Sequence, residues 1–274
     1  MILHPSPLKL PDPAALEREL QHQLRQYSAI RWLATTGSTN TDLLEQIKKS
    51  TSANFLPCLL GSHQQTQGKG RAGREWANQE EQSLMFSCGF TATLETNLLP
   101  GIAPYAGLAA CLALRQQLPK ELQTKLTVKW PNDLEWQGHK LAGILVEAGR
   151  LPPYDNAAQR FVIIGIGVNL NGAAKLANIL NRHITDWHSI AAQASSLRQK
   201  PPSATASDLI TVIAQHWYRM MLEINRNGLS QLPTAYQQVD GLFNRQVNIM
   251  DNHTVLLSGT AKGTTIKTHF KMAK

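Results

Sequence analysis

The sequence contains a glycine-rich segment with cationic side chains, Gly68-Lys69-Gly70-Arg71-Ala72-Gly73-Arg74. Downstream lie Lys129-Trp130-Pro131-Asn132-Asp133-Leu134 and then Lys140-Leu141-Ala142-Gly143. Glycine lets backbone N–H groups approach an anion closely, and the lysine and arginines add positive charge. We therefore expect a mobile, cationic loop over residues 68–75 that suits a ligand carrying or gaining phosphate.

The spacing of Gly68, Gly70 and Gly73 also matches the G-x-G-x-x-G spacing of dinucleotide-binding folds. In such a fold the loop runs directly into a helix whose N-terminus holds the pyrophosphate. Here the next patterned segment is strand-like, Ser83-Leu84-Met85-Phe86-Ser87-Cys88. The spacing therefore does not indicate a Rossmann fold. A Walker loop is also excluded, because the sequence has no Gly-Lys-Ser/Thr.

The length and the cysteines limit the class of protein. A chain of 274 residues has room for one large domain and one small one. The longest apolar run, 161–170, is too short to span a bilayer, and residues 1–13 lack the pattern of a secretory signal. Cys58, Cys88 and Cys111 are odd in number and lie in apolar segments, as reduced, buried thiols do. We expect a cytoplasmic protein with no membrane partner, metal site or tightly bound prosthetic group.

The formal net charge of +8 allows two interpretations. One is a basic surface that binds nucleic acid. The other is a local cationic site for an anionic ligand, with the remaining lysines and arginines solvated. The second is favoured, because outside the segment at 68–74 the cations are spread along the chain. No specific DNA partner is expected.

The hydrophobic pattern predicts an α+β fold, with a mixed sheet flanked by helices. Helices are predicted over 14–27, after the turn at 36–40, and over 100–118, 207–225 and 232–239. Strands are predicted over 31–34, 55–60, 83–90, 126–130, 141–147, 161–168, 245–249 and 254–257, with a hairpin turn at Gln137-Gly138. Residues 170–202 are weakly patterned and are predicted to form long loops. We divide the chain into a catalytic domain, 1–240, and a partial C-terminal β unit, 241–274.

Each polar motif also has a purely structural explanation. Ser38-Thr39-Asn40 could be a plain helix N-cap. Lys129 and Asp133 could form a surface ion pair, and Lys140 could be a solvated edge residue, although a strand expected to be buried on both faces follows it. Gly165-Ile166-Gly167-Val168-Asn169 could mark the end of a strand or a close approach by a ligand.

Taken together, the motifs resemble those of the biotin protein ligases, which attach biotin to the biotin-carrier domain of acetyl-CoA carboxylase. The matching text follows the family's order over about the first two-thirds of the chain. It consists of Ser38-Thr39-Asn40, Gln65 and residues 68–76, 129–134, 140–147 and 165–169.

The resemblance implies a role for each matched residue. Lys140 and Arg71 are expected to be catalytic. The expected biotin-binding residues are Ser38, Thr39, Asn40, Gln65, Lys69, Gly70, Arg71 and Lys140. The expected nucleotide-binding residues are Lys69, Arg71, Arg74, Trp76, Asn132, Asp133, Lys140 and Asn169. The family usually has arginine where Lys69 stands, and lysine keeps the charge but loses the planar fork.

The resemblance also implies a catalytic fold like that of class II aminoacyl-tRNA synthetases, followed by an SH3-like β unit that is short and truncated here. Too few residues precede Ser38 for a winged helix-turn-helix, so a monofunctional form without the DNA-binding domain is expected. Such an enzyme activates biotin with ATP and Mg²⁺ as biotinyl-5′-AMP. It then transfers biotin to a lysine of the biotin carboxyl carrier protein of acetyl-CoA carboxylase. A monomer or weak homodimer is expected.

Other functions stay open. A lipoate or octanoate ligase or transferase shares the general fold, but those families lack the Gly-x-Gly-Arg-x-Gly-Arg loop combined with Lys-Trp-Pro-Asn-Asp. A non-enzymatic nucleic-acid-binding protein is suggested only by the net charge. An inactive paralogue, damaged at its C-terminus, is the third alternative.

Overall fold

The computed structural model describes residues 6–50, 54–77, 82–151, 159–196, 205–251, 254–264 and 270–273. Its helices are α1 Pro13–Gln23, α2 Thr39–Lys49, α3 Ile102–Arg115, α4 Lys120–Gln123, α5 Ala173–Leu180, α6 Trp187–Ser196, α7 Ala206–Asn227 and α8 Leu232–Tyr236. Its strands are β1 Ala29–Thr36, β2 Cys58–Gln65, β3 Ser83–Thr93, β4 Leu126–Lys129, β5 Asp133–Trp136, β6 His139–Arg150, β7 Gln159–Asn169, β8 Gln246–Asp251, β9 Thr254–Thr264 and β10 Phe270–Ala273.

The strands form one large mixed sheet and one small sheet. The large sheet has seven strands in the order β1-β2-β3-β7-β6-β5-β4. β1 and β2 run parallel, and every other neighbouring pair is antiparallel. The small sheet has three strands in the order β10-β9-β8. The predicted α+β class, with a mixed sheet flanked by helices, is confirmed.

One face of the large sheet packs against α1, α3 and α7 and forms the main core. α1 presents Leu16 and Leu20 to this core, and both are fully buried. Trp217 of α7 is also fully buried, and its Nε1 donates a hydrogen bond to the carbonyl of Ala106 in α3 at 3.0 Å. The apolar spacing that predicted these helices therefore corresponds to the face that each one buries.

The opposite face packs against α2 and carries a smaller core. Leu43 and Ile47 of α2 lie there against Cys58, Phe161 and Ile163 of the sheet. This small core covers only part of the face. The remainder, nearer to the N-terminus of α2, is open and forms the floor of a cavity.

The β4 edge of the large sheet is covered by the chain that leads to the small sheet. The N–H of Val128 in β4 donates to the carbonyl of Val239 at 2.7 Å, and Gly241 N–H donates to the carbonyl of Val128 at 2.9 Å. An uncovered strand edge can pair with other chains, and this contact prevents it at β4. The division of the chain at residue 240 stays a prediction.

The structure corrects several sequence-based expectations. Residues 170–202 contain α5 and α6, while 197–202 lie outside the described residues. α5 was missed because its apolar residues are not a buried stripe: the Ile179 side chain is 63% exposed. Strand β5 was missed although it immediately precedes the predicted hairpin turn, where Gln137 and Gly138 have φ of 50° and 83°.

Two further expectations about strands were wrong. β6, which contains Lys140, is not buried on both faces: beyond Ile144 its residues are half-buried or exposed. The C-terminal unit has a third strand, β10, in the tail 264–274, where the sequence analysis predicted no strand. Pairing with β9 defines this strand, rather than any alternation in its own sequence. Residues 265–269 and 274 of that tail lie outside the described residues.

The helical stretch Thr96–Arg115 is long and apolar enough to cross a membrane, judged by length and composition alone. Within the described residues it is the only such stretch, and 67% of its apolar window is buried inside the fold. Burial of this kind is typical of the core helix of a globular domain, and α3 packs against α7 in the main core.

The three cysteines are free and buried, as predicted. Burial raises the pKa of the Cys58 and Cys111 thiols to about 12, and it also raises that of Cys88. A raised pKa keeps each thiol protonated and unreactive near neutral pH. We expect an aromatic disulfide reagent at pH 8 to modify none of the three in the folded protein and all three in denaturant. Rapid modification of the folded protein would contradict this packing.

Candidate active site

The open part of the sheet face forms a cavity of about 620 Å³. All residues predicted to bind biotin or nucleotide line it. They are Ser38, Thr39, Asn40, Gln65, Lys69, Gly70, Arg71, Arg74, Trp76, Asn132, Asp133, Lys140 and Asn169. Segments far apart in sequence are thus brought to one site. The individual roles of these residues stay predictions.

The N-terminus of α2 forms one end of the cavity. Ser38 occupies the N-cap position, but its side chain makes no capping hydrogen bond. The cap-only explanation of this motif is therefore wrong for Ser38, which is 3% exposed and borders the cavity. The backbone N–H of Thr39 donates instead to Oε1 of Gln65 at 2.7 Å. The start of α2 is thus joined to the end of β2.

A chain of hydrogen bonds continues from Thr39 into the sheet. The hydroxyl oxygens of Thr39 and Ser87 lie 2.7 Å apart, and the Ser87 hydroxyl donates to Oδ1 of Asn40 at 2.6 Å. Nδ2 of Asn40 donates to Oε2 of Glu147 in β6 at 2.8 Å. Asn40 has room for this contact because residue 165 is glycine: a Cβ there would lie 2.0 Å from Asn40 Oδ1.

The cationic loop closes on itself. Gly70 N–H donates to the carbonyl of Arg74 at 2.7 Å, and Trp76 N–H donates to the carbonyl of Gly68 at 2.9 Å. Its tip is a tight turn in which Ala72 and Gly73 have positive φ values, 54° and 71°. Lys69, Arg71 and Arg74 of this loop are exposed.

Two contacts attach the loop to the sheet. Nη1 of Arg71 donates to Oδ1 of Asn132 at 2.9 Å, and Nδ2 of Asn132 donates to the carbonyl of Ile144 at 2.6 Å. The indole of Trp76 lies on bare backbone: a Cβ at residue 167 would lie 2.3 Å from it, and one at residue 143 would lie 3.0 Å from it. Glycine at both positions therefore provides the surface on which Trp76 rests.

Lys140 forms the second end of the cavity. Its Nζ lies 2.8 Å from Oδ1 of Asp133 and 5.6 Å from the centre of the Trp76 ring. The side chains of Lys140 and Asp133 are 28% and 29% exposed, so the ammonium group is accessible from the cavity. The surface ion pair suggested for Lys129 and Asp133 is not formed, because Asp133 pairs with Lys140. Lys129 pairs instead with Glu135, at 3.4 Å.

The segment after β7 forms a wall that the sequence analysis missed. Leu176, Leu180 and Ile184 line the cavity there. The segment is bound to β6, because the N–H of Lys140 donates to the carbonyl of His183 at 2.9 Å. A short apolar helix after a strand ending in Asn-Leu-Asn-Gly was the signal that could have revealed it.

Asn169 holds this wall against the start of β6. Its Nδ2 donates to the carbonyls of Lys140 and Thr185 at 3.4 and 3.2 Å. Its Oδ1 is buried and makes no hydrogen bond to any described residue. Asn169 therefore joins Lys140 to the wall and still offers an acceptor. The described residues contain no group of three His, Cys, Asp or Glu side chains that could hold a metal ion.

The fold and the site define a ligase-type domain, in which a mixed sheet carries a cationic loop and a lysine over one cavity. The profile of the Biotin/lipoate A/B protein ligase family matches residues 32–169, half of the 274 residues. The chain belongs to the biotin/lipoate A/B protein ligase family.

The chain is also similar in sequence to two named proteins. The chain is 34% identical over 175 residues to a biotin--[acetyl-CoA-carboxylase] ligase of Mycobacterium tuberculosis, covering 59% of this chain and 58% of the relative. It is 28% identical over 247 residues to the bifunctional ligase/repressor BirA of Escherichia coli, covering 88% of this chain and 68% of the relative. The matched part is thus little more than half the length of the first of these relatives.

The fold also matches solved structures. The biotin protein ligase of Aquifex aeolicus in complex with biotin and ATP superposes with a TM-score of 0.63 at 20% identity, covering 89% of this chain and 91% of that one. At this identity the likeness concerns the fold alone.

Replacement of Gly167 by alanine tests the contact with Trp76. The new methyl group would displace the indole from β7, and this should loosen the loop that the indole anchors. We expect hydrogen exchange at the Gly70 and Trp76 amides to accelerate by about tenfold or more, as for a local opening. Gly37→Ala is the control, because its Cβ would have no neighbour closer than 4.0 Å. Unchanged exchange in the Gly167 variant would contradict the contact.

Proposed function

We propose that this chain is a biotin protein ligase. It activates biotin with ATP as biotinyl-5′-AMP and transfers the biotinyl group to a lysine of the biotin carboxyl carrier protein of acetyl-CoA carboxylase. Family membership and the relatives' names support this proposal. The observation that carries it is the cavity itself, which has a neutral polar end at α2 and a cationic end at Lys140.

The two ends suit the two ends of biotin. The ureido ring is neutral and polar, and it matches the hydroxyl of Thr39 and the amide of Gln65, whose Oε1 accepts from the backbone N–H of Thr39. The carboxylate of the valeryl chain is anionic and matches the ammonium group of Lys140. Buried polar groups are favourable only when they are paired, so a ligand with this polarity fits one orientation.

The first reaction joins two anions. A carboxylate oxygen of biotin attacks the α-phosphorus of ATP, a new P–O bond forms, and the bond to the pyrophosphate leaving group breaks. Lys140, Arg71 and Lys69 offset the charge repulsion and stabilise the charge that develops. ATP enters as its Mg²⁺ complex, a substrate form that lowers this repulsion further.

The second reaction needs no nucleophile from this chain. The amine of the acceptor lysine attacks the acyl carbon of biotinyl-5′-AMP, an amide bond forms, and AMP leaves with the electron pair of the broken C–O bond. A loop closed over the adenylate keeps water away from the acyl carbon. Lys69, Gly70 and Arg71 of the loop line the cavity, and Arg71 bonds to Asn132.

The wall at 176–184 suits the adenine base. Leu176, Leu180 and Ile184 present aliphatic surface to the cavity on the side of Lys140. An adenylate whose phosphate meets Lys140 would bring its base to these side chains, next to Trp76 and Asn169. Leu180 is 37% exposed and has area to bury when a base arrives.

The small C-terminal sheet suits an acceptor protein. Met250 and Val255 lie opposite each other across the β8–β9 pair and are 51% and 48% exposed. A contiguous apolar patch often marks an interaction surface. The protein is further proposed to be cytoplasmic, where its reduced thiols are stable, and to act as a monomer or weak homodimer without specific DNA binding.

Pyrophosphate exchange tests the proposed reaction. The purified chain should exchange labelled pyrophosphate into ATP when biotin and Mg²⁺ are present, because the adenylation step is reversible. Parallel reactions contain lipoate or octanoate in place of biotin. Exchange with either acid but none with biotin would replace the proposal with the related ligase activity.

Substitution of Lys140 tests the cationic end of the cavity. Lys140→Ala should reduce biotin-dependent exchange by about 10²–10³-fold, the usual loss for one preorganised charge contact. The fold should persist, since the residue lies at the start of β6, beside a turn, and is partly exposed. Lys49→Ala, at an exposed ion pair on α2, is the control and should exchange at the wild-type rate. A Lys140→Ala protein of wild-type activity would show that the site is misplaced.

Trypsin tests loop closure, because Lys69, Arg71 and Arg74 are exposed cleavage sites. Their like charges repel each other until an anion arrives, and the glycines keep the backbone loose. Cleavage in the loop should slow markedly on adding biotin with ATP, relative to cleavage elsewhere in the same chain. Equal rates with and without the ligands would indicate a static phosphate clamp.

A further inference from the structure

Glu147 lies on β6, opposite Ile163 of β7, at the far end of the hydrogen-bond chain that begins at Thr39, and is half-buried. Its carboxylate accepts from Nδ2 of Asn40 at 2.8 Å. It does not line the cavity with Thr39 and Gln65, and so any influence on a ligand must pass through Asn40 and its neighbours.

The carboxylate fixes the direction of the first bonds. A carboxylate can only accept hydrogen bonds, so the amide nitrogen of Asn40 must face Glu147. The amide oxygen then faces Ser87, whose hydroxyl has one proton and must donate it to Asn40 Oδ1 at 2.6 Å. With that proton committed, the Ser87 oxygen can only accept from its other neighbour.

The same donor-to-acceptor direction extends to the hydroxyl of Thr39. Its hydroxyl must donate to Ser87 Oγ, 2.7 Å away, because Ser87 has no proton left to give. Thr39 Oγ1 also lies 3.3 Å from Gln65 Oε1, but it then has no proton to donate there. Gln65 Oε1 accepts instead from the Thr39 backbone N–H at 2.7 Å. In this arrangement the Thr39 hydroxyl can offer the cavity only a lone pair.

Burial keeps the chain in this direction. Thr39, Asn40 and Ser87 are 3%, 4% and 0% exposed, so water has little access to reorient their hydrogen bonds. The fit is also tight, because the absent side chain of Gly165 leaves the space that Asn40 Oδ1 occupies. In a low-dielectric site each such bond is strengthened and an unpaired group is costly.

We propose that Glu147 is a positioning residue that makes Thr39 an obligate acceptor, and so selects ligands that present an N–H at this end of the cavity. This rests on the proposed function, since a cyclic urea such as that of biotin presents such an N–H. In Glu147→Gln the amide at 147 can donate or accept, the Asn40 amide is free to turn over, and Thr39 loses its fixed direction.

Steady-state pyrophosphate exchange tests this. Glu147→Gln should raise the KM for biotin about tenfold, as expected when one hydrogen bond to a ligand is weakened, while kcat and the KM for ATP change by less than about twofold. Glu45→Gln is the matched control: it makes the same chemical change on α2, where Glu45 pairs with Lys49 at the surface, and it should behave as wild type.

A second variant moves the carboxylate along the chain. In the double variant Glu147→Gln/Asn40→Asp, the carboxylate introduced at position 40 accepts from both the amide nitrogen introduced at position 147 and the Ser87 hydroxyl. Ser87 and Thr39 therefore regain their original direction, and the KM for biotin should return to within about threefold of wild type. A purely structural role for Glu147 predicts no such rescue. A biotin KM unchanged in Glu147→Gln, or equal losses for biotin and ATP, or a double variant no better than Glu147→Gln, would overturn the proposal.

The side-chain amide of Asn40 separates this proposal from the proposed function. In the ligand-free wild type its N–H bonded to Glu147 should exchange slowly by NMR, and in Glu147→Gln it should exchange faster. A wild-type protein without biotin-dependent exchange would refute the ligase function alone. Equal exchange of the Asn40 amide in the two proteins would overturn the role of Glu147 whatever the substrate.

Discussion

The site depends on the absence of side chains along one face of β7. Gly165 and Gly167 are successive positions on this face, and a Cβ at either would overlap Asn40 or Trp76. On the other face of the same strand, Ile164, Ile166 and Val168 are buried in the main core. One strand therefore stabilises the fold with one face and leaves room for a ligand on the other. Both attachments of the cavity walls, the start of α2 and the indole of the loop, rest on this bare backbone.

The cavity that results is electrically asymmetric. At the α2 end, hydroxyl and amide groups satisfy each other in a buried chain that ends at Glu147. At the other end, Lys140 is held by Asp133 yet keeps donors to spare, and the exposed cations of the loop lie above it. A ligand with a neutral polar group at one end and a carboxylate at the other fits this charge distribution in a single orientation. In the proposed function, the carboxylate of biotin and the nucleotide phosphate would both meet the cationic end.

Much of this was accessible from the sequence because the motifs are short, local and chemically distinctive. The glycine-rich loop, the turn after β4, Lys140 and the end of β7 all line the cavity, and the long helices α1, α3 and α7 follow their apolar spacing. Cys58, Cys88 and Cys111 were predicted to be buried for the same reason: apolar neighbours on a strand or helix indicate the side that packs.

What could not be predicted depends on contacts between distant segments. The sequence does not say that Lys140 pairs with Asp133 and Lys129 with Glu135. The strand register sets Lys129 opposite Asp133 and Lys140 opposite Glu135, and the diagonal side-chain pairs are seen only in the folded sheet. α5 has no buried stripe of its own, since only its Ala173 is buried. The segment that follows the helix is hydrogen-bonded to β6 through the carbonyl of His183. Glu147 is one of several acidic residues until the fold brings it to Asn40. β10 is a strand only because β9 offers it an edge.

The orientation of biotin in the cavity tests the account most directly. A crystal structure of the chain with biotin should show the ureido ring against Thr39 and Gln65, with a ring N–H directed at Thr39 Oγ1. The carboxylate should lie within hydrogen-bonding distance, about 3 Å, of Lys140 Nζ. Biotin bound in the opposite orientation, or at a site away from the glycine face of β7, would contradict the account.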